Sequence, residues 1–296
     1  MQTGYFSAAW RDVKNSPGWF GKVAILALIN LIPVFGQLVT YGYLFGWARD
    51  IAWGVHAPLP PRIFGNEDGG LYRRGFFALV IALVCSLVPW MLGTVWGVLT
   101  GFGAFWSTRG GGFAAAFGPA VLMLWLLLMA SMALSLLFSW VGTMRMSIYG
   151  RLAPGLQLGR IWAMMRYDFG GLLRIFGMAI LLLVVTGVVV WAAMLAITLA
   201  GALAGVVIGT PVVSTNNPFV LMATVPGLVA LVMILVAACA ALSTAAGAFS
   251  MALIARALGY WTRQFDVPSW HGQDDPMPFE MTGGPCPAQT PPSNRG

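Results

Sequence analysis

The residues that could perform acid–base chemistry are few, and they lie outside the long apolar segments of this sequence. Before position 266 the acidic residues are Asp12, Asp50, Glu67, Asp68 and Asp168. Two carboxylates in one cleft could serve as a general acid and a general base. An interfacial lipid-modifying enzyme that uses Glu67, Asp68 or Asp168 is therefore one alternative for this chain.

Metal binding and nucleophilic catalysis need side chains that the sequence scarcely provides. The two histidines, His56 and His271, are far apart and lie outside the long apolar segments. The three cysteines, Cys85, Cys239 and Cys286, are too widely spaced for a disulfide framework or a metal site. We therefore predict no catalytic residues, no cofactor and no metal, and we expect that the chain is not an enzyme.

Hydroxyl side chains recur at every fourth position of one apolar segment, at Ser131, Ser135, Ser139 and Thr143. At this spacing they share one face of an α-helix. Such a face could line a polar path, and the chain would then be a pore or permease for an uncharged or lipidic solute. The hydroxyls could instead bond to carbonyls of their own helix or to neighbouring helices. We favour this packing interpretation and keep the polar path as the alternative.

The composition places most of the chain in lipid. Hydrophobic residues make up 59% of the 296 residues and charged residues only 8%, whereas a soluble domain carries about a quarter charged residues. Four apolar segments reach or exceed the ~20 residues that a helix needs to cross a bilayer, and they are residues 76–99, 117–141, 175–205 and 219–254. We predict an all-α, polytopic transmembrane helical bundle with the lipid bilayer as a partner.

The positive charges predict the orientation. The net charge of +7 comes from cations scattered singly between apolar segments, and no basic run could follow phosphates, so we predict no nucleic-acid partner. The connection between the second and third segments holds five arginines, namely Arg145, Arg151, Arg160, Arg166 and Arg174, whereas the two opposite connections hold only Arg109. Because Lys and Arg stay on the cytoplasmic side, we expect both termini to be cytoplasmic, in a cytoplasmic (inner or plasma) membrane.

The stretch of residues 22–49 is apolar but interrupted at Pro33 and Gly36. Proline removes a backbone donor and disfavours helix in the preceding residue, so a helix should break there. One kinked span would place the N-terminal cations outside, whereas a helical hairpin that returns to the cytoplasm keeps them inside. We favour a re-entrant hairpin, whose opened backbone other helices must cover.

Amphipathic helices are predicted beside the membrane at two places, near the N-terminus and in the long connection around position 162. We assign interface anchors at Trp10, Lys14, Lys22, Trp162, Arg166 and Arg174. The first three align in order with the last three, and Gly18 aligns with Gly170, which indicates a candidate internal duplication. Coincidence is the alternative, since any helix that enters a membrane carries Trp and Lys or Arg nearby.

The chain divides into three predicted parts: an interfacial amphipathic segment (1–20), a transmembrane helical domain (21–265) and a tail (266–296). The tail is rich in Pro, Gly and polar residues without periodicity, so we predict a disordered cytoplasmic segment. The alternative is a short docking segment formed by Trp270, Met277, Pro278, Phe279 and Met281.

Small residues at every fourth position predict where helices pack. In lipid, helices associate through close approach at small residues and through interhelical hydrogen bonds. We assign helix packing to two stripes, which are Gly93, Gly97 and Gly101, and Ala192, Ala196, Ala200 and Ala204. We also expect no buried ionisable groups, because the apolar segments carry none away from their ends.

Several short motifs, taken in order, resemble one known family. They are Pro17, Gly18 and Trp19 before a helix, the break at Ile32, Pro33 and Gly36, the pair Gly42 and Tyr43, the turn from Arg49 to Gly54, and the closing stretch 255–265. In these features the chain resembles the multi-pass prokaryotic family catalogued as domain of unknown function 4013. It departs from the family's pattern at Pro61 and Arg62, where an acidic and aromatic pattern is expected.

The resemblance implies a multi-pass membrane bundle and brings no assigned activity. The family is also similar to membrane portions attached to some glycerophosphodiesterases, which implies a scaffold more than a catalyst. Our leading hypothesis is a non-catalytic scaffold or accessory subunit of a membrane assembly. Its partners would be other membrane-protein subunits or a second copy of the chain.

Overall fold

The computed structural model describes residues 4–65, 69–107, 113–215 and 218–281, in which every regular element is helical. In chain order these are α1 (Tyr5–Lys14), α2 (Trp19–Ile29), α3 (Phe35–Ala52), α4 (Leu71–Ser107), α5 (Phe113–Tyr149), α6 (Leu152–Leu156), α7 (Leu158–Tyr167), α8 (Phe169–Thr215), α9 (Pro218–Arg263) and α10 (Pro278–Met281), with a 3-10 turn at Val267–Ser269. The all-α prediction is confirmed.

Four of these helices are long and apolar enough to cross a membrane. The qualifying stretches are Leu71–Phe105 in α4, Gly118–Tyr149 in α5, Phe169–Leu199 in α8 and Val232–Arg263 in α9. They coincide with the four predicted apolar segments, which confirms a multi-pass membrane protein. The helices run past the predicted limits, as helix ends located from a sequence pattern often do.

The N-terminal apolar stretch forms the predicted hairpin. Between α2 and α3 the chain breaks, and Val34 adopts a φ of 65°, which a β-branched residue rarely does. The two arms are antiparallel, because Lys22 at the start of α2 and Tyr43 within α3 bond to adjacent carbonyls of one loop. At the other end, Gly36 lies directly against the backbone at the end of α2.

Helix α3 packs against three of the four long helices. Its residues 42–48 are all buried, and it packs on α4 and α9 and also contacts α5. A Cβ added to Gly42 or Gly75 would overlap a backbone carbonyl of the facing helix, so α3 and α4 cross at backbone contact. Gly259 brings α9 equally close to α3. These contacts cover α3, but residues 31–35 at the break are exposed. The prediction that other helices cover the opened backbone is therefore wrong at the break, where backbone amides bond to nearby carbonyls instead.

The long helices form two antiparallel pairs, α4 with α5 and α8 with α9. Along much of their length the outer faces are exposed, and no residue in the most apolar stretch of α8 is buried. At one end the last turns of α5 and α9 meet α1, α6 and α7. We call this end the base, and it holds the polar groups that could form a site.

Candidate functional site

A buried ion pair at the base joins the N-terminal helix to the last long helix. Arg256 is 1% exposed, and its Nε donates to Oδ2 of Asp12 at 2.7 Å. Its remaining nitrogens donate to the carbonyl oxygens of Trp47 and Ala57 at 3.0 and 3.2 Å. The Tyr260 hydroxyl donates to the same Asp12 oxygen at 2.8 Å. This network fixes α1 against α3 and α9.

Arg145 is also enclosed in the base, but uncharged groups surround it. Its Nη2 donates to Oε1 of Gln157 at 2.9 Å and to the carbonyl of Gln273 at 3.4 Å, and its Nε donates to a carbonyl of α6. Its Nη1 contacts the sulfur atoms of Met164 and Met277. Within the described ranges, no carboxylate lies at ion-pair distance from Arg145. The base therefore encloses a cation without a direct ion pair, and the carboxylates of Glu280 and Asp274 act on its charge from a greater distance.

Residues 266–281, which we call the strap, fold back from the end of α9 across the base. Arg160 forms an ion pair with Glu280 and donates to the carbonyl oxygen of Asp274 at 2.8 Å. The Gln157 amide donates to Oδ1 of Asp274 at 2.7 Å. Acidic groups of the strap are thus matched to basic and amide groups of α7 and the turn before it.

The prediction of a disordered tail is corrected over residues 266–281. Val267 is fully buried and Met277 is 3% exposed, and the Phe279 ring lies 4.6 Å from that of Tyr167. The tail cannot bury enough apolar surface by itself, but the base provides a complementary surface of aromatic and positively charged side chains. The remaining tail residues, 282–296, lie outside the described residues.

The expectation that no ionisable group is buried is corrected by three arginines. Arg74, Arg145 and Arg256 are 7%, 0% and 1% exposed. Each lies just beyond an end of an apolar segment, where the helix continues into the base. Other helices and the strap cover them there, and this cover depends on tertiary packing that no local pattern reveals.

Of the three acids proposed for an interfacial enzyme, the structure describes Asp168, which bonds to the helix start and to α9. Asp168 caps the start of α8, where its Oδ1 accepts the N–H of Gly171 at 2.9 Å, and its Oδ2 accepts a bond from Gln264. Glu67 and Asp68 lie outside the described residues. Across the described part of the chain, no cluster of three His, Cys, Asp or Glu residues could hold a metal. Asp168 is accounted for by its bonds to the helix start and to α9.

A cleft of about 170 Å³ lies between α3, the start of α4 and the loop that precedes α4. Tyr43, Trp47, Arg62 and Leu71 contribute to its walls. Sites for small molecules usually enclose about 300 Å³ or more. The cleft is therefore too small to form a substrate site of that kind.

The two predicted small-residue stripes mostly face away from the other helices of the chain. A Cβ at Gly93 would lie 3.9 Å from the side chain of Leu128 on α5, so this position faces its paired helix. The exposed positions are Gly97, Gly101, Ala192 and Ala196. The side chains of Ala200 and Ala204 lie outside the described residues. These faces are free to approach a helix of another molecule.

Among the described residues, helices also approach closely at glycines that the stripes did not include. At Gly42, Gly75 and Gly259 backbone meets backbone around α3. The sequence contains a pattern that could have identified Gly42 as a packing residue, because Gly42 and Gly46 are four residues apart in α3. Spacing alone does not show which small-residue face meets a neighbour.

The hydroxyl stripe of α5 bonds partly to its own helix. Ser131 donates to the carbonyl of Leu128 at 2.8 Å, and Thr143 donates to that of Ser139 at 2.7 Å. Thr143 is buried, and Ser135 and Ser139 are half-buried. These bonds favour the packing interpretation, and the polar path stays a prediction.

The aromatic interface anchors lie at the surface. Trp10 and Trp162 are 42% and 45% exposed, and they pack against Phe249 and Phe138 respectively. The cationic anchors Lys14, Arg166 and Arg174 are exposed, whereas Lys22 donates to a loop carbonyl at 2.8 Å.

The candidate duplication is not matched by backbone geometry at its glycines. Gly18 has a φ of 65° and precedes α2, whereas Gly170 lies inside α8. The two units therefore enter their membrane helices differently at this position.

A family model described as "Protein of unknown function (DUF4013)" matches residues 25–195, which is more than half of the chain. The match begins in α2 and ends in α8, so it includes α3 and the pair formed by α4 and α5. No curated protein and no solved structure matches the chain.

Proposed function

We propose a role from the geometry of the chain itself, because the family to which the chain belongs is described only as Protein of unknown function (DUF4013). The protein is a non-catalytic integral membrane protein that acts as a scaffold or accessory subunit of a membrane assembly. Other membrane-protein subunits, or further copies of the chain, bind to its long helices. The base organises these helices and does not carry out a reaction.

One observation carries this proposal, namely the exposed small-residue faces of α4 and α8. Among the described residues, a Cβ at Gly97 or Gly101 would meet no heavy atom within 4 Å, and Ala192 and Ala196 are exposed on α8. In lipid, small residues let helix backbones approach closely, and this approach is a main source of association energy. Such faces support binding of a helix from another molecule.

We place the base on the cytoplasmic side. The described ends of the chain both lie there, since α1 is paired to α9 and the strap covers α7. No Asp, Glu, Lys, Arg or His occurs in α4 after Arg74, in α5 before Arg145, in α8 after Arg174 or in α9 before Arg256. The cations therefore concentrate at one end, which supports this orientation by the positive-inside rule.

Substituting Gly97 with leucine tests the proposal. The unmodified chain, extracted in mild detergent or native nanodiscs, should have a mass above that of its monomer because copies or partner subunits remain bound. The added side chain should block close approach and reduce this bound fraction at least fivefold, while the melting temperature stays unchanged. The measurement is native mass spectrometry combined with size-exclusion light scattering.

The matched control is Val98→Leu, because Val98 is 70% exposed on the same helix and already carries a branched side chain. This variant should keep the mass of the unmodified protein. An unmodified chain that appears only as a lone monomer in nanodiscs would contradict the proposed function.

A further inference from the structure

The strap makes contacts typical of a bound peptide. Most of its residues are exposed or half-buried, and only Val267 and Met277 are buried. Its polar contacts reach elements far away in sequence, such as the bond from the Tyr149 hydroxyl to the carbonyl of Gly272 at 3.2 Å. Its one short helix, α10, carries the Phe279 ring to the base. The strap therefore lies on a surface that the rest of the chain has already formed.

The surface beneath the strap is a groove of distinct chemistry. Arg145 and Arg160 supply the positive charge, and Tyr149 and Tyr167 supply aromatic walls that face Trp270 and Phe279 of the strap. Both walls and cations belong to α5 and α7, which pack together without help from the strap. A groove of this kind fits a peptide that combines a carboxylate with a neighbouring aromatic side chain.

Charge complementarity indicates why the strap fills this groove. Four of the nine acidic residues of the chain lie in the strap, and they are Asp266, Asp274, Asp275 and Glu280. In the described part of the chain, the carboxylate at ion-pair distance from Arg160 is that of Glu280. Without the strap, Arg160 would lose this partner and Arg145 would lose its contacts with Gln273 and Met277.

Tethering explains how modest contacts keep the groove filled. A segment linked directly to α9 has an effective local concentration of about millimolar order or more. A free peptide with the same contacts must compete with that concentration. Any change that weakens the strap's own contacts therefore exposes the groove to a peptide from another molecule.

We propose that this groove is a docking site for an acidic, aromatic peptide segment of a partner protein, and that the strap is its intramolecular occupant. The inference goes beyond the proposed function, since it concerns the base and not the exposed faces of the membrane helices. Peptide docking at the base can fail while helix association in the membrane holds, and helix association can fail while peptide docking holds.

The probe is a fluorescent synthetic peptide with the sequence of residues 266–281, added to the full chain in detergent. Binding is followed by fluorescence anisotropy. A chain with the strap substitutions Phe279→Ala and Glu280→Arg should bind the peptide saturably, at least tenfold more tightly than the unmodified chain does. A second variant, Phe279→Ala alone, should show the same direction of change.

A charge-reversal pair tests whether the peptide occupies the groove. In the chain with Phe279→Ala alone, Arg160→Glu should abolish binding of the natural peptide, and a peptide carrying Glu280→Arg should restore it. Equal binding to the unmodified and strap-weakened chains, or absence of binding to strap-weakened chains that keep native helix content, would overturn the proposal. So would a gain of binding to anionic phospholipid vesicles without any gain of peptide binding, which would make the base a lipid site.

Discussion

Replacing Arg256 with methionine is expected to lower the free energy of unfolding by about 3 kcal/mol. The guanidinium is buried, pairs with Asp12 and donates to the carbonyls of Trp47 and Ala57. Methionine fills much of the volume but removes the charge partner of the partly buried Asp12 carboxylate, which keeps the Tyr260 hydroxyl as a donor. It also removes one donor from the carbonyls of Trp47 and Ala57, and each loss destabilises the fold. Thermal unfolding in detergent, followed by intrinsic fluorescence, measures the effect.

The matched control for this substitution is Arg263→Met. Arg263 lies two turns further along the same helix but is exposed, where its Nη1 contacts His56. Surface substitutions of this kind usually change stability by less than about 0.5 kcal/mol. If Arg256→Met were no more destabilising than Arg263→Met, the base would not be held together by this network.

Substituting Gly42 or Gly75 with alanine is the second change with a large expected effect. Either Cβ would overlap a backbone carbonyl of the facing helix, which no rotamer change can relieve. Helices α3 and α4 must then move apart, which costs about 1–3 kcal/mol for each substitution. Denaturant titration of the purified protein measures the loss.

The control on the same helix as Gly75 is Gly97→Ala, whose Cβ would meet no heavy atom of the described residues within 4 Å. Alanine is the better helix former, by up to about 1 kcal/mol, so this variant should be as stable as the unmodified protein or more so. Equal losses at Gly75 and Gly97 would show that helix flexibility, and not the α3–α4 crossing, sets the effect.

The long helices and the hairpin could be predicted from the sequence because both follow from local rules. Crossing a bilayer needs an uninterrupted apolar length, and the four spans show it. Proline removes a backbone donor and disfavours helix in the preceding residue, which favours a break at Pro33, although α4 and α5 continue through Pro89 and Pro119. The charge distribution around the break then favoured a return to the same side over a single kinked span.

The base could not be predicted, because it is assembled from residues distant in the sequence. Arg145 looks like an ordinary cation at the end of an apolar segment, and its burial depends on α6, α7 and the strap. The strap itself looks disordered by composition, since its partners lie more than a hundred residues away. Gly75 faces the backbone of α3 and Gly97 is exposed. The spacing of small residues does not show which of them meets another helix.

We propose that four helices cross the membrane with the base on the cytoplasmic side. Cys85, Cys239 and Cys286 are first replaced by serine, and single cysteines are then introduced at Arg166 in the base and at Asn216 in the opposite connection. An impermeant thiol reagent added to intact cells should label Asn216→Cys, and it should label Arg166→Cys only after permeabilisation. Labelling of Arg166→Cys in intact cells would contradict the account.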